Sequence, residues 1–315
     1  MEPDGRPSRI YVAGATGMVG SAIVRRLRQD GYPLVGDRIP RVDLRDQKAA
    51  HQLLGELTPD WVFVAAAHVG GIDANNTYPA DFIYDNLMIQ TNVIHASYEA
   101  GVGKLLFLGS SCIYPRLAPQ PMKEEHLLSG YLEPTNEPYA IAKIAGIITA
   151  RSYNRQYGTH FISVMPTNLY GPRDNFNLKT SHVVPALMRR MHEAKNADAA
   201  YVEVWGSGRP RREFLHVDDL ADACLFLMEA YDSSDLINIG TGTDITIGEL
   251  ALMMKEIVGF SGEIRFNPAM PDGTPRKLLD VSRMTALGWQ ASTPLREGLA
   301  MTYEWFVANE EKLRK

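Results

Sequence analysis

Short apolar runs alternate with longer segments of helical period along the first half of the chain. Arg9–Ala13 (RIYVA), Trp61–Ala66 (WVFVAA), Lys104–Gly109 (KLLFLG) and Phe161–Met165 (FISVM) are nearly continuous in apolar residues, as strands buried on both faces are. Pro33–Gly36 is a weaker run of the same kind. Between these runs, Met18–Gln29, Ala49–Leu57, Asp81–Ala100 and Asn136–Tyr157 read as helices. Strand, helix, strand at this spacing predicts βαβ units joined by right-handed crossovers. The expected fold class is α/β, a doubly wound, Rossmann-like parallel sheet with ligands at the carboxyl ends of its strands.

After about residue 170 the pattern loosens. Gly171-Pro172, Gly206–Pro210, Asn267–Pro275 and Thr293-Pro294 are loop signals between shorter elements. They predict a smaller, discontinuous C-terminal substrate lobe over residues 171–315, interleaved with a dinucleotide-binding domain over 9–170. Residues 1–8 hold two prolines and a glycine with no apolar stretch after them, so a disordered tail is expected rather than a signal peptide. Helices 81–100 and 136–157 are apolar over more than one stripe, which calls for a second buried face. A homodimer through these two helices is expected.

The 315 residues leave room for two domains, and 45% hydrophobic with 22% charged residues is an ordinary globular balance. Thirty-two Lys+Arg against 37 Asp+Glu give a net charge of −5, which argues against a general nucleic-acid binder. The longest apolar run is too short for a membrane span. Two cysteines, Cys112 and Cys224, are too few for a disulfide scaffold or a thiolate-rich zinc cluster. A cytoplasmic protein with no metal centre is expected.

The segment Gly14-Ala15-Thr16-Gly17-Met18-Val19-Gly20 follows the first strand and opens a helix. Glycines there permit a tight turn and close backbone approach, and the helix N-terminus faces a pyrophosphate. The spacing is GxxGxxG, and its place at the first strand–helix junction marks a nucleotide site at Gly14, Thr16, Gly17, Met18, Val19 and Gly20. Beyond the second run, Asp37 suits a free ribose 2′-hydroxyl, whereas Arg38 or Arg41 suits a 2′-phosphate. The residues alone leave NAD and NADP both open.

Tyr139 and Lys143 stand at i and i+4, on one face of a helix. An ammonium beside a phenol favours the phenolate, so Tyr139 becomes a usable acid/base toward a carbonyl oxygen. Ser110, at the end of the Lys104–Gly109 run, offers that oxygen a second hydrogen bond. Cys112 lies two residues further on; if the strand stays extended, it leaves the same face as Ser110. A thiol of ordinary pKa ~8.5, lowered by a cationic neighbour, can act as a base on a C–H next to a ketone. His182 is placed to supply the opposing proton. Read alone, a cysteine at a strand end is more often a small buried hydrophobe, and a histidine before a helix more often a cap or surface residue. Cys224 sits in a helical core pattern and carries no chemistry.

Glycine loop, serine at a strand end and YxxxK helix together resemble the extended short-chain dehydrogenase/reductase family. Gly109–Pro115 (GSSCIYP), Glu133–Lys143 (EPTNEPYAIAK) and Pro166–Pro172 (PTNLYGP) narrow the resemblance to its members acting on GDP-4-keto-6-deoxy sugars. The likeness runs from about residue 9 to the C-terminus. It implies NADPH-dependent 3,5-epimerisation and 4-reduction of GDP-4-keto-6-deoxy-D-mannose. Ser110, Tyr139 and Lys143 would serve the reduction, with Cys112 as epimerisation base and His182 as acid. It further implies NADP(H) contacts at Arg38, Tyr139, Lys143, Pro166, Asn168, Leu169 and His182. By the same comparison, Arg190, Trp205, Arg212, Asp272 and Lys277 surround the GDP-sugar, with Arg212 on the diphosphate. Asp218 and Asp219 are expected to cap the helix that follows them. The rival activities are a nucleotide-sugar 4-epimerase that leaves Cys112 idle and a non-catalytic dinucleotide sensor. A dehydratase is disfavoured, because Cys112-Ile113 stands where it needs a carboxylate.

Overall fold

The apolar runs pair in parallel, as their continuous hydrophobicity requires. The computed structural model describes residues 7–36, 42–270 and 272–313. In chain order, β1 (Ile10–Ala13) leads to α1 (Met18–Gln29), α2 (Gln47–Leu57) to β2 (Trp61–Val64), and α3 (Ile72–Thr77) with α4 (Pro79–Glu99) to β3 (Lys104–Leu108). Then α5 (Glu137–Tyr157) precedes β4 (Phe161–Pro166) and the short β5 (Asn168–Tyr170). The remainder comprises α6 (Val183–Asn196), β6 (Tyr201–Trp205), β7 (Arg211–Arg212), β8 (Phe214–His216), α7 (Val217–Ala230), β9 (Ile237–Ile239) and β10 (Ile245–Thr246). It closes with α8 (Ile247–Val258), β11 (Glu263–Asn267), β12 (Arg276–Lys277), α9 (Ser282–Ala286) and α10 (Leu295–Leu313).

The main sheet has the order β1-β2-β3-β4-β9, parallel throughout. Alternate residues of β3 feed opposite cores, as a period of two dictates. Leu105 and Phe107 join Leu54, Val93, Ile94 and Ile147 beneath α2, α4 and α5. Leu106 and Leu108 join Ile23, Leu27, Leu220, Cys224 and Leu227 beneath α1 and α7. A third core, with Met188, Met191, Val204, Leu250, Met254 and Phe306, belongs to the C-terminal lobe. Cys224 is fully buried, as its helical core pattern requires. No helix among the described residues is long and apolar enough to cross a membrane.

Three expectations change. Pro33–Gly36 forms no strand of its own; Leu34 alone bridges Ile10, because the run is too short and polar-flanked to pair further. Of the tail 1–8, residues 1–6 lie outside the described residues. Pro7, however, is buried, and the backbone N–H and hydroxyl of Ser8 both donate to the Asp60 carboxylate, at 2.7 and 2.9 Å. The interleaving expected across the residue-170 boundary takes the form of α7 and β9, which return to the first lobe and complete its sheet. Finally, α7 is capped by His216, whose ring accepts from the Asp218 N–H. Asp218 instead pairs with Arg25, while Asp219 accepts from the Thr293 N–H at 2.9 Å and the Ser292 hydroxyl at 3.0 Å. Both carboxylates therefore stitch elements together from the first turn of α7.

Candidate active site

The glycine segment turns directly off β1. Gly14 has φ of 84°, and a Cβ there would lie 2.7 Å from the Ala66 nitrogen at the end of β2, so only glycine fits. A Cβ on Gly20 would fall inside contact distance of the Gly14 carbonyl oxygen, and its absence lets α1 close onto the loop. Gly17 is the N-cap residue of α1 and has no side chain to satisfy the first-turn N–H groups of Met18, Val19 and Gly20. Thr16 is exposed in the same loop. The result is a backbone cradle with unclaimed donors at a helix N-terminus, which is an anion site. Asp37, Arg38 and Arg41, the residues expected to choose between the two cofactors, lie outside the described residues.

Across the mouth of the sheet stand Ser110 and Tyr139. Tyr139 is in the first turn of α5, and Lys143, one turn on, is buried with its Nζ donating to the Leu108 carbonyl at 2.8 Å. That Nζ is 5.8 Å from the Tyr139 ring centroid. Burial lowers the Lys143 pKa to about 8. Burial also pushes the Tyr139 phenol well up, with the nearby Cys112 thiol adding to the rise and a hydrogen bond from Ser110 opposing it. Desolvation is thus the largest influence on the phenol here, opposite in direction to the lowering expected from the YxxxK spacing. Tyr139 is held as a neutral phenol, the form that donates a proton.

Cys112 reaches the same pocket by a different route from the one its spacing suggested. The chain does not stay extended after β3. Ser110 takes an N-cap position, its hydroxyl accepting from the Cys112 N–H at 3.2 Å, and Ser111–Ile113 form a 3-10 turn. The turn is pinned from behind: the Tyr114 hydroxyl donates to Asn238 Oδ1 at 2.5 Å, and Asn238 in β9 also holds the Met122 and Asp280 carbonyls. Cys112 Sγ then lies 3.8 Å from Lys277 Nζ.

Lys277 and Arg212 are parallel register partners on β12 and β7. Burial lowers the Arg212 pKa against the opposing pull of Asp272 and Cys112. Asp272 accepts from the Ser207 N–H at 2.6 Å and from its hydroxyl at 2.7 Å, and these bonds hold its carboxyl below the usual range. His182 is the N-cap residue of α6, open to the cleft yet crowded by neighbouring atoms. That crowding lowers its pKa, and the positive charge of Lys277 lowers it further. Arg190 on α6 stacks its guanidinium 5.1 Å from the Trp205 ring centroid at the lobe's outer rim. Pro166 ends β4 and Asn168 and Leu169 lie in β5, with the Asn168 amide donating to the Glu213 carbonyl at 2.8 Å.

Ser110, Cys112, Tyr139, Lys143, His182, Arg212, Asp272 and Lys277 thus converge on one cleft, while Arg190 and Trp205 line a separate hollow with Glu193, Tyr201 and Glu203. Two buried carboxyls escaped the sequence reading. Glu213 follows Arg212 and accepts from the N–H groups of Thr241, Gly242 and Leu279 at 2.7, 2.7 and 3.0 Å, tying the 241–242 loop and the Leu279 segment to its own strand end. Asp174 lies in the loop that carries His182; its Oδ1 accepts from the Asn175 N–H at 2.7 Å and its Oδ2 is buried without a partner. Burial raises the Asp174 pKa to about 7. A buried acid next to an arginine pair, or after Gly-Pro, leaves no periodic trace in sequence.

This arrangement combines a phosphate cradle, a buried proton donor and a thiol with a cationic neighbour. The chain as a whole is similar to known proteins. A GDP-L-fucose synthase of Arabidopsis thaliana is 57% identical over 305 residues, covering 96% of this chain and 94% of its own. The GDP-L-fucose synthase of Escherichia coli K12 is 56% identical over 316 residues, covering 97% of this chain and 98% of its own. The crystal structure of a GDP-L-fucose synthetase from Naegleria fowleri bound to NADP superimposes with a TM-score of 0.91 at 30% identity, covering 99% of each chain. Residues 10–240 match the family model described as the NAD dependent epimerase/dehydratase family, so the chain belongs to that family.

Proposed function

We propose that this chain is a bifunctional, NADPH-dependent enzyme that inverts C3 and C5 of GDP-4-keto-6-deoxy-D-mannose and reduces C4, giving GDP-L-fucose. The observation that carries the reading is the Cys112 thiol set against Lys277 in the same pocket as Ser110, Tyr139 and Lys143. A simple 4-epimerase has no use for that thiol. Full-length relatives of 56% and 57% identity named GDP-L-fucose synthase support the same substrate.

The cradle of Gly14, Thr16, Gly17, Met18, Val19 and Gly20 fits a dinucleotide pyrophosphate, because Gly14 and Gly20 leave no space for a Cβ and the first-turn N–H groups are uncapped. Pro166, Asn168 and Leu169 flank the same end of the sheet, and Lys143 and His182 face it; Arg38 is assigned to the 2′-phosphate. When bound, the reduced nicotinamide supplies a hydride to C4.

The chain's own residues do the rest. The substrate's 4-keto group acidifies the neighbouring C3–H and C5–H. In each inversion the Cys112 thiolate, with Lys277 beside its sulfur, takes the proton from carbon and His182 delivers one to the opposite face of the resulting enolate; both groups exchange protons with solvent before the second inversion. Ser110 and Tyr139 hydrogen-bond the keto oxygen, and Tyr139 then protonates the alkoxide formed at reduction. Lys143 holds its ammonium between the Leu108 carbonyl and the Tyr139 ring. Arg212 and Lys277 take the diphosphate, Asp272 a hydroxyl group, and Arg190 with Trp205 the nucleoside end.

The active form we propose is a homodimer through α4 and α5, whose outer faces expose Tyr84, Ile141 and Ile148 at 60%, 43% and 41%. Sedimentation that gives a monomer at assay concentration removes this part of the proposal. The function itself is tested by mixing the protein with GDP-4-keto-6-deoxy-D-mannose and NADPH or NADH and following nicotinamide oxidation, with the product's configuration read by NMR. GDP-L-fucose formed with NADPH is the expected result. No oxidation with either cofactor overturns the reductase, and reduction without inversion overturns the epimerase.

A further inference from the structure

Three histidine and carboxylate donors meet on the opposite side of the molecule from the cleft. His51 lies in the middle of α2, and His95 and Glu99 stand at i and i+4 near the end of α4. One ligand atom from each lies within 4.8 Å of the others. The Glu99 carboxylate sits between the two rings, with Oε2 at 2.6 Å from His51 Nδ1 and Oε1 at 3.3 Å from His95 Nε2. We propose that His51, His95 and Glu99 form a binding site for a divalent transition-metal ion of the zinc type.

The donor set is that of a three-ligand site, two imidazole nitrogens and one carboxylate oxygen with a fourth position for water. Tetrahedral zinc with Zn–N of ~2.0–2.1 Å sets its ligand atoms ~3.3 Å apart, and the present spacing, all within 4.8 Å, brackets that value. His95 also has a supporting group. The Tyr153 hydroxyl of α5 lies 2.7 Å from His95 Nδ1 and fixes that ring, leaving Nε2 turned toward Glu99. His51 Nε2 is buried without a hydrogen-bond partner, so the ring offers a ligand only its Nδ1 edge. The two rings meet edge to face with centroids 5.3 Å apart. Side-chain exposures of 27%, 36% and 49% for His51, His95 and Glu99 leave an entry path from solvent.

An ion held there would join α2 to α4 directly and α5 through Tyr153. Its place is remote from the chemistry: Glu99 ends the helix that leads into the first residue of β3, whereas Ser110 follows that strand's last residue. The site is therefore a structural clasp, and metal uptake raises stability by mass action without entering the reaction.

The test uses the full-length chain freed of any affinity tag and stripped with chelator. Calorimetric titration with zinc chloride is expected to give one ion per chain and a higher melting temperature. Cobalt(II) is expected to give the visible d–d bands of a tetrahedral nitrogen–oxygen site, with no thiolate charge-transfer band. His51→Ala and His95→Gln should each lower affinity more than tenfold, and Tyr153→Phe should lower it ~10–100-fold through the supporting hydrogen bond. Far-ultraviolet circular dichroism and nicotinamide oxidation should match the parent in all three. Absence of zinc uptake by the parent, or parental affinity in both histidine variants, overturns the proposal. So does a thiolate-to-cobalt band that vanishes in Cys112→Ser.

Discussion

Replacing Lys277 by methionine removes the cation 3.8 Å from Cys112 Sγ while keeping most of the side chain's length. Two unit charges at that distance attract by about 4 kcal/mol at an effective dielectric of 20 and by about 1 kcal/mol in bulk water. Lys277 is half-buried at the edge of an open cleft, so the loss falls between these limits. Without that cation the sulfur loses its electrostatic partner, and proton removal slows by roughly 5- to 1000-fold. The assay isolates this step. With oxidised cofactor present reduction cannot proceed, and deuterium entering C3 and C5 from heavy water is followed by NMR at saturating substrate. Saturation separates the step from any weakening of the diphosphate grip, which appears in KM. A second readout comes from His182, whose pKa is lowered by burial and then by Lys277. Removing the ammonium removes the second cause, so the imidazole midpoint moves upward in Lys277→Met and returns in Lys277→Arg. Exchange within twofold of the parent, together with an unmoved His182 midpoint, refutes the reasoning.

Three further outcomes are expected. Tyr139→Phe deletes the proton donor of the reduction and should lower its turnover by about 10²- to 10⁴-fold while C3 and C5 exchange persists; equal loss of both assigns Tyr139 to binding instead. Gly20→Ala forces a Cβ onto the Gly14 carbonyl, an overpacking of ~1–3 kcal/mol. NADPH affinity and melting temperature should fall together, and parental values for both would show that the loop yields. Asp174, raised from 3.8 to about 7 by burial, holds in the folded chain a proton that the unfolded chain releases. Stability therefore falls as pH rises between those values, by up to about 4 kcal/mol. Urea midpoints of Asp174→Asn at pH 5 and pH 8 should lie closer together than the parent's.

The central sheet was legible because both of its faces are covered, which writes strands as unbroken apolar runs. β1, β2, β3 and β4 all follow that rule, and α1 begins and ends where its pattern does. β9 was not legible: three residues, Ile237–Ile239, are too few to show a period, and only pairing with β4 defines them. The catalytic set was readable from motif spacing, yet its electrostatics were not. Tyr139 with Lys143 suggests an acidified phenol, but burial, which no spacing reports, dominates both groups. Likewise Cys112 belongs beside Ser110 for a reason the extended-strand argument missed. The Ser110 hydroxyl caps a turn that swings the thiol toward Lys277, a residue far away in sequence. His51 and His95 gave no signal at all, since only the packing of α2 on α4 brings them together.

The late arrival of β9 has a consequence for how the protein is made. β4 is buried at every residue, and one of its edges is closed only by β9. During synthesis the nucleotide lobe therefore emerges with that apolar edge open, and it waits for the whole of α6, β6 and α7 before the closing strand follows. A chain released early, even one that contains the glycine loop, Tyr139 and Lys143, would display Phe161–Pro166 as an unpaired template for another chain. Chaperone capture of nascent chains should accordingly end only once Ile239 clears the ribosome.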